Sequence, residues 1–170
     1  MKYAITSLTM FAGFILQTTL LQHIRIFGVL PNLAIVLLVV FSVRLKMPMG
    51  ICAAVAGGLL QDIFFSPAFG IYTLIYLTVA FSVSALSGNF FEESSATPIV
   101  MIAFATICQY FMMIVIYYFA GMQFDLSAIF LRMVLPELLI NAILCWALYK
   151  IFGRILGKIG FESAGRWSNE

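Results

Sequence analysis

Long apolar stretches separated by short polar breaks run through almost the whole chain. About 20 apolar residues in a helix cross the roughly 30 Å hydrocarbon layer of a bilayer, and six such stretches can be laid along the sequence. The first extends from Tyr3 to Gln22. The second is short, opening at Leu30-Pro31-Asn32 and ending near Val43. The third runs from Met47 to Phe65, and Ser66-Pro67-Ala68 leads into a fourth from Phe69 to Ser87. A polar loop, Gly88 to Thr97, precedes Pro98, which opens a fifth stretch reaching Ala120. Proline is tolerated there because the first amides of a helix have no intrahelical partner. Gly121 to Arg132 reads as a mixed loop with a short interfacial helix capped by Asp125, and the sixth stretch runs from Met133 to Phe152. Helix is expected throughout, since lipid offers backbone polar groups no other partner. If the short second stretch does not cross, five spans remain.

Composition agrees with this pattern. The 170 residues are 64% hydrophobic and only 9% charged, against about 25% charged in an ordinary soluble domain. A water-soluble globule this small has too little interior to hide so much apolar surface. The expected fold class is therefore all-α: a polytopic membrane bundle forming a single domain over residues 1–160, with 161–170 as a short cytoplasmic tail. The first stretch ends without an A-x-A-like cleavage site and is read as a retained span, not a signal peptide. A net charge of +2 gives no strong nucleic-acid footprint. Cys52, Cys108 and Cys145 lie inside apolar runs without a CxxC pair, which suggests neither a zinc site nor a disulfide framework. No metal or other cofactor is expected.

Basic residues set the expected orientation. With six spans, Lys2, Arg44, Lys46, Lys150, Arg154, Lys158 and Arg166 fall on one side, and only Arg25 and Arg132 on the other. The positive-inside rule then puts both termini in the cytoplasm. Lys150, Arg154 and Lys158 recur every four residues among Ile151, Phe152, Ile155, Leu156 and Ile159. They read as cytoplasmic anchors of the last span, or as a basic stripe against an anionic leaflet.

Polar residues inside spans are scarce and therefore informative. Asp62 lies near the end of the third stretch and Glu137 near the start of the sixth, which the orientation places in the outer half of the membrane. Asn32, Asn141, Arg25 and Arg132 are expected at the same level. Gly50, Ala54 and Gly58 recur every four residues ahead of Asp62, a spacing that lets another helix approach closely. Asp62 is thus either a buried hub for a ligand or partner, or a lock on helix arrangement through an Arg or an amide. Glu137 follows Pro136, which frees a backbone carbonyl and serves a kink as readily as a site. His23 is the only histidine and cannot form a usual zinc site alone. Neither a nucleophile with its base nor a Gly-rich phosphate loop is present, so an enzyme is not indicated.

The stretch from Leu30-Pro31-Asn32-Leu33-Ala34-Ile35-Val36-Leu37-Leu38, through Gly50 and Gly57-Gly58-Leu59-Leu60-Gln61-Asp62-Ile63, to Phe69-Gly70-Ile71-Tyr72-Thr73-Leu74 and Tyr76 resembles the MreD family of bacterial rod-shape-determining membrane proteins. These motifs cover about a third of the chain; the remainder is similar in hydropathy, span number and its basic end. The resemblance implies a non-enzymatic component of the cell-elongation machinery for peptidoglycan synthesis, resident in the cytoplasmic membrane. It implies an MreC-like single-span partner, with MreB, RodA and a class B penicillin-binding protein as further associates. It also implies a bundle similar to the substrate-binding S components of energy-coupling factor transporters.

Two functions follow as expectations. The first is a scaffold that packs another protein's span, with the Gly50-Ala54-Gly58 face for close packing, either on that partner or within the protein itself, Asn32, Asp62 and Gly70 at the outer end, and Glu137 and Asn141 nearby. Arg44, Lys46, Glu92 and Glu93 would face cytoplasmic partners or solvent. The second is an S-component-like subunit that captures a vitamin or a lipid intermediate at the same polar cluster.

Overall fold

Capping side chains, as well as the apolar runs themselves, decide where several of the helices begin. In a computed structural model of the chain, residues 2–21, 28–66, 68–90, 96–123 and 125–158 are described. His23, Arg25, Pro67, Glu92, Glu93, Arg166, the tail 161–170 and the side chains of Lys46 and Lys158 lie outside them. The described elements are all helical: α1 (Lys2–Thr19), α2 (Leu33–Phe65), α3 (Ile71–Phe90), α4 (Thr97–Phe119), α5 (Leu126–Ile129), a π-helical turn (Phe130–Val134) and α6 (Leu135–Lys158). Three segments are long and apolar enough to cross a membrane: Met47–Phe65, Thr97–Phe119 and Leu126–Ile155; Leu33–Leu45 and Ile71–Ser87 are shorter apolar helices.

Residues 33–65 are helical on both sides of Pro48, yet α2 is folded on itself. A straight helix of this length would reach about 50 Å at 1.5 Å per residue. Instead, a Cβ placed on Gly50 would lie 3.2 Å from the Ser42 Cα, and Asn32 and Gln61, from the two ends of the helix, line one cavity. The reversal falls between the arms Leu33–Leu45 and Met47–Phe65, beside Pro48. Proline there removes an i→i−4 bond and crowds the preceding turn, a sufficient cause for a sharp bend. The second and third apolar stretches are thus separate helical arms joined by a tight bend.

The remaining helices pack around this hairpin. Along its length α1 follows both arms, with Thr6 beside Met49 and Gln17 beside Ala34. Against the second arm lies α3, where a Cβ on Gly58 would sit 2.5 Å from the Thr73 Cα. Ile35, Val36, Leu38, Val39 and Val40 of the first arm are fully buried, so this arm is the central rod of the bundle. At one end Arg44 donates to the Tyr149 carbonyl at 2.9 Å and stacks on the Tyr149 ring at 3.8 Å, and Lys150 covers Trp146 at the same distance. At the other end gather the N-termini of α2 and α3.

Two boundaries differ from the sequence expectation. The second helix starts at Leu33, not Leu30, because the Asn32 side chain caps it by accepting from the Ile35 N–H at 3.2 Å. The last span begins at Leu126, not Met133, because Asp125 caps α5 and the π turn carries the helix on into α6. That turn ends two residues before Pro136; widening the coil there accommodates a ring that would clash with an ordinary α-turn.

Candidate functional site

The end of the bundle holding Asn32 contains a cavity of about 520 Å³ lined from α1 through α6, with Tyr72 contributed by α3. Two kinds of polar residue build it: those that cap helices, and those that tie helices together.

Capping comes first because the opening amides of a helix have no partner of their own. Asp62 supplies this to α3 from another helix. One carboxylate oxygen accepts the Tyr72 N–H at 2.8 Å; the other accepts the Thr73 N–H at 3.0 Å and the Thr73 hydroxyl at 2.6 Å. A negative group at a helix N-terminus is favoured by the macrodipole. Its partner is therefore neither an Arg nor a side-chain amide, but the start of the next helix. Gly70 precedes that start with φ +100°, a left-handed conformation that a side chain would strain. Gln17 does the corresponding work for α2, accepting from the Ala34 N–H at 3.1 Å.

The interhelical ties form a chain. The Asn32 N–H donates to Asn141 Oδ1 at 3.0 Å, and Asn32 Nδ2 donates to Gln109 Oε1 at 3.3 Å. Asn141 Nδ2 donates to Glu137 Oε1 at 3.3 Å and lies 3.5 Å from Thr106 Oγ1. The Tyr110 hydroxyl donates to Glu137 Oε2. Asn141 is wholly buried, and Gln109 and Glu137 nearly so. Polar groups withdrawn from water are costly unless bonded, and here each buried member has a partner.

The structure brings Asn32, Glu137 and Asn141 together and sets Asp62 with Gly70 beside them, next to Gln61 on the cavity wall. Arg132 borders a smaller adjoining cavity with Tyr110 and Glu137. Gly50, Ala54 and Gly58 do not form one docking face. Gly50 is pressed on Ser42 within the α2 hairpin, Ala54 is fully buried, and Gly58 meets α3. Sequence reasoning missed Gln17, Gln61, Gln109 and Tyr110. The available signal was a neutral amide inside an apolar span, above all Gln109 in the middle of α4. No group of metal-ligating side chains occurs among the described residues.

Fold and site together define a helical membrane protein with a polar-lined cavity at one end of its bundle. A family model described as the rod shape-determining protein MreD matches residues 1–159, and the chain belongs to that family. It is thus a rod-shape-determining membrane protein, from a family that acts in the rod-shape complex and is not known for catalysis. Comparisons with curated proteins and with solved structures give no match.

Proposed function

We propose that this protein is a non-enzymatic scaffold of the bacterial elongation machinery, crossing the cytoplasmic membrane six times with both termini inside, and binding the span of an MreC-like protein. MreB, RodA and a class B penicillin-binding protein would be reached through that assembly. Membership of the MreD family is the observation that carries this. The structure supports it physically: several polar side chains within the bundle hold helices together, with Asp62 on α3 and Asn141 on α2 and α4. Such cross-ties make a rigid body on which a partner helix can register. Lys2, Arg44, Lys150 and Arg154 lie at the end away from the cavity, the end the positive-inside rule assigns to the cytoplasm.

Because Gly58 is consumed by α3, a bulky residue there would test folding instead of partner binding. Partner contact belongs to faces that the isolated chain leaves exposed. Those faces include Leu8 and Ile15 on α1, Phe104 and Ile107 on α4, and Leu139 and Ile143 on α6. The test is a photo-crosslinker scan of these six positions in full-length protein co-expressed with an MreC-like partner. Crosslinks confined to one helix face support the scaffold. Absence of crosslinks at all six positions, together with failure to co-purify, counts against it.

A further inference from the structure

Cross-tying explains why Asn32, Asn141 and Glu137 are polar, but it leaves Gln61 unexplained. Gln61 is 5% exposed, lines the cavity, and makes no hydrogen bond among the described residues. Its amide is nearly withdrawn from bulk water yet keeps access to the cavity, so its hydrogen-bonding capacity is open to whatever occupies that space. Gln17 and Gln109 line the same cavity and spend their carbonyl oxygens within the protein, on the Ala34 N–H and Asn32 Nδ2. Their amide N–H groups remain for an occupant.

We propose that the cavity binds a small uncharged amphiphile, its hydroxyl- or amide-bearing head among Gln17, Gln61 and Gln109 and its apolar body at the rim. Size fits: about 520 Å³ lies within the roughly 300–1,000 Å³ of small-molecule sites. Polarity fits as well. The buried floor carries Gln61, Gln109 and Glu137, whereas Leu30, Phe65 and Met133 at the rim are all well exposed. Charge selects against an anionic head, since among the described residues no Lys or Arg lines this cavity. A cationic head would need Glu137, whose two oxygens are already bonded by Tyr110 and Asn141. What remains is a neutral head rich in acceptors and hydroxyls. This site is independent of the scaffold reading, and either can fail alone.

The same head chemistry can arrive from the bilayer or from water, so two labelled probes are used on the full chain in phosphatidylcholine nanodiscs. Monoolein is supplied within the bilayer and 1-monooctanoylglycerol from the buffer. Saturable binding of at least one is expected, weakened at least tenfold by Gln61→Leu, abolished by Ile114→Trp, and unchanged in Phe111→Trp, which lies outside the cavity. The arm that binds identifies the source. Gln61→Leu removes no internal hydrogen bond, so it keeps the test decisive even if Ile114→Trp does not fold. Absence of saturable binding in both arms, or equal binding by Gln61→Leu, overturns the site. So does tighter binding of dodecylamine that is lost in Glu137→Gln, which would make it a cation site.

Discussion

The backbone N–H of Asn32 donates to the Asn141 side chain at 3.0 Å across 109 positions of sequence. This single bond joins the start of the central hairpin arm to the interior of the last helix. Asn141 is also tied to Thr106 and Glu137, so its side chain serves α2, α4 and α6 at once. Interhelical hydrogen bonds in membranes average about 0.6 kcal/mol, reaching about 1.7 kcal/mol. Asn141→Leu is expected to cost about 1–2 kcal/mol by unfolding in mixed micelles. Pairing it with Gln109→Leu should cost less than the sum, because both changes loosen Asn32.

Asp62 is expected to act through α3 and not through a ligand. Asp62→Ala leaves the Tyr72 and Thr73 amides and the Thr73 hydroxyl without their acceptor. Loss of a cap costs about 0.5–2 kcal/mol. Thr73→Val should cost less, since both amides keep their carboxylate. Hydrogen exchange at the Tyr72 and Thr73 amides checks this: protection should fall in Asp62→Ala and largely survive in Thr73→Val.

Gly58→Ala should be poorly tolerated. The added carbon would lie 2.5 Å from the Thr73 Cα and 2.9 Å from its nitrogen, both backbone atoms that cannot swing aside. Overpacking typically costs about 1–3 kcal/mol. Ala12→Leu, on the exposed face of α1, is the control and should leave the melting temperature in detergent unchanged.

One exposed carboxylate gives a pH dependence. Asp125 accepts from the Ser127 hydroxyl at 2.7 Å, the Ser127 N–H at 2.9 Å and the Ala128 N–H at 3.3 Å. These bonds, the Ser127 hydroxyl foremost, hold its carboxyl below the usual carboxylate range. A pKa lowered by folding stabilises above the unfolded value and ceases to do so as pH falls through the folded one. Exchange protection at Ser127 and Ala128 should therefore be constant at neutral pH and fall in acid. Asp125→Asn should remove that dependence.

Much of this was legible in the sequence. Apolar run lengths gave an all-helical membrane protein, and the third run, Met47 to Phe65, coincides with a spanning segment. Asp125 was recognisable as a cap from its place before a helix-forming run. The convergence of Asn32, Glu137 and Asn141 could be anticipated because scarce polar residues in lipid must find one another. The roles of Gly50 and Gly58 were not legible. Their four-residue spacing says that two backbones approach closely, but not whether the second backbone belongs to another protein. Here it belongs to the same chain, and the bend after Arg44 turns Gly50 onto Ser42. Gln61 and Gln109 escaped notice because neutral amides lack the insertion cost that makes a charge conspicuous; only the cavity gives them meaning.

The folded-back α2 underlies the account, because it alone brings Asn32 and Asp62 to the same end of the bundle. Spin labels at Leu30 and Phe65, in a chain freed of Cys52, Cys108 and Cys145, measure it directly by pulsed electron paramagnetic resonance. Both positions line the cavity, so a single short distance is predicted, less than half the straight-helix value of about 50 Å. A distribution centred near that longer value would mean that residues 33–65 form one extended rod, and the cavity, its cross-ties and the paired second and third spans would all be contradicted.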